Sequence, residues 1–239
     1  MWYKLKRILI HPGWVEKQVR PIGWQPWANT VLYVPMQTDL LDHWPNYISL
    51  TNTNVQIATI GWVPAWYFPT ANNPYNLRWN ITSYISSEPF TISVWVYTLA
   101  YPTWSSSDPR TAICWMLGAW PYKWTALELL PWGFRAEFLG GTNVTSSSVP
   151  TLNKWYLITV TRDSNNSNKL YVNSQLVWSS SSGWNDYFGN FVIGADWTDS
   201  AGLLRHWKWY MREFIMEKTA RTAQEISDYY NLTKWSYWL

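Results

Sequence analysis

Residues 151–194, TLNKWYLITVTRDSNNSNKLYVNSQLVWSSSSGWNDYFGNFVIG, decide how this chain folds. Nearly every side chain over residues 154–162 is β-branched or aromatic, which predicts a strand. Residues 163–168 are Asp, Ser and Asn, whose side chains bond the local backbone and favour a turn. Further strands are predicted over residues 169–173 and 187–194. The stretch is therefore expected to hold three antiparallel strands in a row.

The first of these strands carries apolar side chains on both faces. Tyr156, Ile158 and Val160 share one face, and Trp155 and Leu157 share the other. This pattern indicates a sheet that a second sheet covers on one side.

Three motifs in the same stretch carry a family resemblance: K-W-Y-x-I-T-V-T-R-D, K-L-Y-V-N-S-x-L-V and F-V-I-G-A. Together they resemble the laminin-G-like (concanavalin A-like) jelly-roll domain, over roughly residues 30–232. The family usually has glycine where Ser174 stands in the tight turn Asn173-Ser174, and glycine accepts a positive φ without steric cost. The resemblance implies an all-β fold, a two-sheet antiparallel jelly-roll sandwich with a short C-terminal helix.

The resemblance also divides the chain. Residues 1–28 are expected to form an N-terminal strand and lead-in segment, residues 29–233 the jelly-roll domain, and residues 234–239 a tail. The lead-in resembles that of phage tail-associated proteins that carry this domain. The alternative is an edge strand with a linker.

Composition limits the partners. The chain has 239 residues, a formal net charge of +3 and 14% charged residues, against an ordinary share of about 25%. It has no basic block, so neither nucleic acid nor a membrane surface is an expected partner. The N-terminus lacks the apolar core of a signal peptide, and no apolar run approaches ~18 residues. We expect a domain of a virion or of the extracellular space, whose single cysteine, Cys114, is a buried apolar residue.

Tryptophan is unusually frequent, with 22 Trp against 11 Gly. Several stand where turn chemistry favours glycine, as in Asp196-Trp197 and Lys208-Trp209. One hypothesis is that the codon translated here as Trp is read as Gly in the natural protein at such positions. The alternative is a Trp-rich surface that stacks on sugar rings. The intact mass of the natural protein distinguishes the two.

The clearest single strand is predicted over residues 90–99, FTISVWVYTL. Its alternate residues from Phe90 to Val96 are apolar and are expected to enter the core between the sheets. The opposite face carries Trp95 and Tyr97. The exposed concave face of the jelly rolls that this chain resembles often binds sugar chains, so these two rings are candidate ligand contacts. The alternative is packing beneath a neighbouring loop.

The remaining elements follow from similar patterns. Strands are predicted over residues 30–36, 111–118, 126–130, 134–139 and 205–218, and a polar loop over 142–148. In the last strand, alternation assigns Tyr210, Arg212, Phe214 and Met216 to one face and Met211, Glu213 and Ile215 to the other. Thr222-Ala-Gln-Glu225 predicts a capping box at the start of a helix. By the resemblance, this helix plugs one end of the sandwich.

The sequence does not favour catalysis. Retaining glycoside hydrolases use two carboxylates about 5–5.5 Å apart. Glu213 and Glu217 lie four positions apart with Ile215 between them, which places their carboxylates poorly. The three histidines lie far apart in the sequence, without the spacing of metal ligands.

A calcium ion is the one cofactor that the resemblance implies, held at a rim by Asp, Asn and backbone oxygens. Asp196 and Asp199 follow an Ile-Gly strand end and are the first candidates for metal ligands. Asp108 is a further candidate for contact with a cation or a ligand. The alternative is that all three are solvated turn carboxylates.

These expectations combine into one functional hypothesis. The chain is expected to be a non-catalytic carbohydrate or cell-surface recognition module of a phage, virion-associated or extracellular protein. Its partners would be a glycan or host-surface polysaccharide and other virion proteins. A purely structural decoration domain without a ligand is the alternative, and a glycoside hydrolase of the same fold is a third possibility.

Overall fold

Fifteen strands make up most of what the structure shows. The computed structural model describes residues 29–34, 50–69, 76–80, 89–102, 110–117, 124–138, 142–146, 148–181, 190–195 and 207–237. The strands are β1 Thr30–Val34, β2 Thr51–Thr53, β3 Gln56–Ile60, β4 Val63–Tyr67, β5 Asn76–Asn80, β6 Phe90–Tyr97, β7 Thr111–Leu117, β8 Trp124–Leu130, β9 Gly133–Phe138, β10 Thr142–Thr145, β11 Trp155–Arg162, β12 Ser167–Val172, β13 Gln175–Ser181, β14 Asn190–Ile193 and β15 Tyr210–Glu217. Helix α1, Ala223–Thr233, and a 3₁₀ turn, Lys234–Ser236, follow. The predicted lead-in, residues 1–28, lies outside the described residues.

The strands form two antiparallel sheets, which confirms the predicted sandwich with a short C-terminal helix. The larger sheet has the order β13-β12-β11-β6-β15-β4-β3, and β1 also pairs with β15. The second sheet has the order β10-β9-β8-β7-β14-β5-β2. All described pairings are antiparallel.

The decisive stretch forms more than the three neighbouring strands that were predicted. β11 and β12 pair as expected, and a two-residue turn leads from β12 into β13 within the same sheet. The last strand, β14, instead lies in the second sheet between β7 and β5. The prediction of three strands in a row was therefore wrong for β14. Its short apolar run is typical of a buried strand in either sheet, and the sequence pattern does not identify its neighbours.

The core between the sheets contains the side chains that alternation predicted. Phe90, Ile92, Val94 and Val96 of β6 pack there with Ile158 and Val160 of β11. Burial of each large apolar side chain contributes about 1.5–3 kcal/mol, so this layer is the main source of stability. Cys114 is also buried in this core, as expected, and burial raises the pKa of its thiol to about 12.

The closing strand β15 departs from simple alternation. The pairing register between β15 and β6 shifts between Arg212 and Ile215, and Glu213 has φ +51°. This bulge places Met211 and, after it, Phe214 on the core side. The predicted faces were therefore wrong before the bulge, because one extra residue inverts the alternation.

The predicted polar loop over residues 142–148 is also corrected. Its first half, Thr142–Thr145, forms β10, which pairs with β9 at one edge of the second sheet. Backbone hydrogen bonds to β9 make a strand here without any apolar alternation.

The predicted capping box at the start of α1 is confirmed. The Thr222 hydroxyl accepts a hydrogen bond from the Glu225 backbone N–H, and the Glu225 carboxylate accepts one from the Thr222 N–H at 2.8 Å. Ile226 and Tyr229 are the buried residues of the helix. The helix does not plug an end of the sandwich as expected. Tyr229 packs with Trp95 and Ile215 on the outer face of the larger sheet, away from the other sheet.

Several tryptophans of the described segments lie in the interior. Trp66, Trp95, Trp155, Trp207 and Trp209 are all buried, and no tryptophan in the described part of the chain has a positive φ. Trp209, at a position where the sequence suggested glycine, packs edge-on against Trp207 at a centroid distance of 4.9 Å. At these positions the backbone does not require glycine.

The turn between β12 and β13 generates a prediction about stability. Asn173 has φ +50° and Ser174 has φ +67°, as a type I′ turn requires. A left-handed serine costs about 1–2 kcal/mol, whereas glycine costs roughly 0.4–1 kcal/mol through the entropy of the unfolded chain. Ser174→Gly should therefore raise the free energy of unfolding by about 0.5–1 kcal/mol in urea denaturation.

Ser179→Gly is the matched control, because Ser179 lies within β13 and is not among the residues with positive φ. Glycine inside a strand should lower the stability by about 0.5–1 kcal/mol. A Ser174→Gly protein no more stable than the natural chain would contradict the strained-turn interpretation.

Candidate functional site

Several chain segments meet at the end of the sandwich where β6 finishes and β11 begins. The Asn153 backbone N–H donates to the Thr98 carbonyl at 2.8 Å, and the Tyr101 hydroxyl donates to the Pro150 carbonyl at 3.0 Å. These bonds hold the segment after β6 against the segment before β11.

The turn between β8 and β9 joins the same assembly through Gly133. A Cβ atom at Gly133 would lie 2.5 Å from Ser146 Oγ and 3.3 Å from the Ser148 carbonyl oxygen, so glycine is required for this close approach. Ser146 Oγ also accepts a hydrogen bond from the Phe134 N–H at 2.9 Å. The turn that carries Trp132 is therefore fixed against the segment that carries Val149.

Four large apolar side chains are exposed at this end: Leu99 (41%), Tyr101 (37%), Trp132 (44%) and Val149 (48%). We name these four residues the aromatic rim. They lie among polar residues such as Ser148 and Thr151. Aromatic faces with polar neighbours suit a ligand that has both apolar and hydrogen-bonding surfaces, as sugar rings do.

Sequence reasoning missed the aromatic rim. A weak signal was present, because Pro131-Trp132-Gly133 places a large ring in a turn, where side chains are usually exposed.

The described residues that flank the predicted carboxylates in sequence lie at the same end. Asp108 lies between Pro102 and Arg110, and Asp196 and Asp199 follow Ala195, but all three aspartates lie outside the described residues. The flanking backbone is fixed, since the Gly194 N–H donates to the Ile113 carbonyl and the Trp207 N–H donates to the Gly194 carbonyl, both at 2.8 Å. Across the described ranges no three His, Cys, Asp or Glu residues come together to bind a metal. Calcium therefore stays a prediction.

The two predicted ligand contacts, Trp95 and Tyr97, lie beneath the C-terminal segment. Their exposed fractions are 2% and 7%. Trp95 stacks on Tyr237 at a centroid distance of 4.1 Å, and Tyr97 packs against Trp155 at 5.4 Å. This position matches the packing alternative, with helical residues in place of a loop, and neither ring is open to solvent here. We name the surface formed by Trp95, Tyr97, Trp155 and Ile215 the helix-covered face.

The two carboxylates of β15 also lie on this side. The Arg221 guanidinium donates to both oxygens of Glu217, at 2.8 and 2.5 Å, and to Glu225 at 3.0 Å. Burial raises the pKa of Glu217, although Arg221 acts in the opposite direction. Glu213 accepts a hydrogen bond from the Tyr229 hydroxyl at 2.7 Å, and burial together with the Glu213 charge raises the pKa of Tyr229 well above its ordinary value. Both carboxylates thus hold the helix.

A second group of charges lies on the second sheet and was not predicted. The Glu128 carboxylate is 0% exposed and accepts hydrogen bonds from Arg135 at 2.8 Å and from Arg110 at 3.4 Å. Glu137 is paired with the same two arginines. Each carboxylate of this group is therefore paired with both arginines. This network ties the start of β7 to the β8–β9 hairpin.

The family comparison supports the fold directly. Residues 70–227 match the model of the concanavalin A-like lectin/glucanases superfamily. No curated protein sequence matches the chain. Within the described part of the chain, no helix has the length and apolar character needed to cross a membrane.

Solved structures of low sequence identity share the fold. The receptor binding domain of botulinum neurotoxin D has a TM-score of 0.67 and 16% identity, and the alignment covers 85% of this chain and 52% of that one. The serotype D domain in complex with N-acetylneuraminic acid has a TM-score of 0.67, 14% identity and coverages of 85% and 50%. Botulinum neurotoxin type C, which interacts with two ganglioside molecules, has a TM-score of 0.64, 13% identity and coverages of 85% and 51%. The chain thus spans about half the length of these neighbours.

The capping box generates a pH-dependent prediction. Partial burial alone would raise the pKa of Glu225, but hydrogen bonds from Thr222 and the charge of Arg221 lower it. A lowered folded-state pKa gives stability that is present above the unfolded carboxyl pKa of about 4.3 and is lost as the pH falls through the folded value. Glu225→Gln should therefore lower the melting temperature at pH 7, and the difference should shrink towards pH 3.

Thr222→Ala sets the size of the effect, with an expected cost of about 1 kcal/mol, or roughly 2–4 °C in melting temperature. Asp228→Asn is the control, because it removes a charge from an exposed position of the same helix. If Asp228→Asn and Glu225→Gln show the same pH profile, the capping box is not the cause.

Proposed function

Because the chain belongs to the concanavalin A-like lectin/glucanases superfamily, we propose that it is a non-catalytic module that recognises carbohydrate through the aromatic rim. The observation that carries the proposal is the group of four exposed apolar side chains, two of them aromatic, at one end of a rigid sandwich. Protein surfaces seldom expose such groups without a partner.

The chemistry of the rim suits a sugar. The Trp132 ring offers a face for the apolar side of a pyranose, and Tyr101 offers a second ring nearby. The Tyr101 hydroxyl is held by the Pro150 carbonyl, so this ring is positioned before a ligand arrives. A fixed binding surface loses less conformational entropy on binding. Single sites of this size bind weakly, and several displayed copies would strengthen attachment.

The structural neighbours support a binding role. They include a receptor binding domain and a complex with N-acetylneuraminic acid. The part that aligns with this chain is half of each neighbour, so their ligands guide the choice of probes and do not assign a ligand here.

We also propose a virion or extracellular setting, in which the partners are a host-surface polysaccharide and other virion proteins. The support is the resemblance of the first 27 or so residues to the lead-in of phage tail-associated proteins. Asp196 and Asp199 are the proposed calcium ligands, and Asp108 is a proposed further contact, because the described residues that flank them lie at the end that carries the rim. A decoration domain without a ligand is the alternative.

Trp132→Ala and Tyr101→Ala test the role of the rim on a glycan array that includes sialylated glycans and β-glucans. Loss of one stacking ring should weaken binding by about three- to tenfold, which corresponds to roughly 0.5–1.5 kcal/mol. Trp62→Ala is the matched control, because Trp62 is 92% exposed in the β3–β4 turn at the opposite end of the sandwich.

Equal loss of binding in the Trp62 and Trp132 variants would count against the rim. Absence of binding by the natural chain to every glycan would favour the decoration domain. Repeating the array with EDTA separates the calcium proposal, since a calcium-dependent site loses binding on chelation and a site made only of side chains does not.

A further inference from the structure

Tyr237 occupies a box of aromatic and cationic groups on the helix-covered face. Its ring stacks on the Trp95 ring at a centroid distance of 4.1 Å with an interplanar angle of 18°, and it packs against the Trp155 ring at a centroid distance of 5.2 Å. The Arg212 guanidinium lies 5.3 Å from the centre of the ring. Tyr237 is 4% exposed, whereas Trp235, two residues earlier, is 70% exposed. The side chain of Tyr237 is therefore the main attachment of the 3₁₀ turn to the sheet.

The box contains hydrogen-bond donors that the tyrosine does not satisfy. Trp95 Nε1, Trp155 Nε1 and Arg212 Nε are buried and have no hydrogen-bond acceptor. The Tyr237 hydroxyl lies beside the Glu213 carboxylate, which also accepts the hydrogen bond from Tyr229. A buried polar group left without a hydrogen-bond partner destabilises the fold. The ring of Tyr237 fills the box but does not match its polar groups.

The bulge in β15 creates this polarity. It turns two successive residues, Arg212 and Glu213, towards the helix-covered face, and it holds Glu213 at φ +51°. The backbone of a residue other than glycine is strained in this region, and such strain is common at binding sites. The result is an indole platform, on which Tyr230 of α1 also stacks at a centroid distance of 5.8 Å, near a second indole, a guanidinium and a carboxylate.

We propose that this box is a second carbohydrate-binding site, for a pyranose ring, which residues 234–237 of the chain itself cover as a removable cap. A pyranose has an apolar face for Trp95 and hydroxyl oxygens that accept hydrogen bonds from Trp155 and Arg212. The choice of ligand class rests on the proposed function. The box itself is separate from the aromatic rim.

The cap can open without loss of the helix. α1 is held independently by Ile226 and Tyr229 and by the ion pairs of Arg221 with Glu217 and Glu225. A ligand binds only to the open form, so its apparent dissociation constant rises in proportion as that form becomes rarer. If the open form is about 10% or less of the natural chain, removal of the cap strengthens binding by roughly tenfold or more.

Tyr237→Ala and Tyr237→Phe test this proposal, both in a Trp132→Ala background that removes the largest ring of the rim. Phenylalanine keeps the ring that fills the box, and alanine empties it. The probes are cellohexaose, maltohexaose and 3′-sialyllactose, measured by calorimetry and tryptophan fluorescence. The alanine variant should bind at least one probe roughly tenfold more tightly than the phenylalanine variant. Addition of Trp95→Ala to the alanine variant should abolish this binding.

A fourth probe, p-cresol, distinguishes a sugar site from a simple cavity. Binding of p-cresol without any oligosaccharide by a folded alanine variant would overturn the proposal, as would binding of no probe. Failure of the rim variants on the glycan array leaves this result unaffected, because every Tyr237 variant compared carries the same Trp132→Ala substitution. If Tyr237→Ala does not fold, hydrogen exchange of residues 234–237 in the natural chain replaces it. Faster exchange with oligosaccharide supports a displaced cap, and unchanged exchange contradicts it.

Discussion

The closing strand β15 joins the parts of the larger sheet. It pairs with β6 on one side and with both β4 and β1 on the other, so three separate stretches of chain depend on its register. The bulge at Arg212 and Glu213 lets β15 place apolar side chains on both faces of the larger sheet. Phe214 enters the core between the sheets, while Ile215 and Glu213 face α1. The strained backbone of Glu213 is offset by its hydrogen bond to Tyr229, which also positions the helix.

One face of the larger sheet and part of the other are covered, and this limits where a ligand can bind. One face packs on the second sheet, and part of the other packs on the C-terminal segment through Trp95, Trp155 and Tyr237. The ends of the sandwich then carry the accessible loops, as is common when a rigid scaffold presents binding residues. The backbone contact between Gly133 and Ser146 makes one of these ends rigid. In the proposed function, a sugar would therefore meet Trp132 and Tyr101 at nearly fixed positions.

Local patterns predicted most of the fold, and long-range contacts account for the errors. The alternation in β6 and the capping box at Thr222 depend on residues close in sequence, so the sequence sufficed for both. The position of β14 in the second sheet and the bulge at Glu213 depend on which strands become neighbours. The aromatic rim depends on Ser146, which lies twelve positions from its hydrogen-bond partner Phe134. A one-residue bulge is also invisible to a period-two pattern, since glutamate gives no signal for positive φ.

The carboxylates buried in the described part of the chain favour recognition over hydrolysis by the way they are used. Glu128 and Glu137 are each paired with two arginines, Glu217 with one arginine, and Glu213 with a tyrosine. A retaining hydrolase needs one carboxylate able to attack and another able to donate a proton, about 5–5.5 Å apart across an open cleft. Carboxylates held by guanidinium groups inside the protein instead stabilise the neighbouring strands, and removal of either partner leaves a costly buried charge. The buried carboxylates of these strands therefore hold the scaffold, which agrees with the proposal that the domain recognises a ligand.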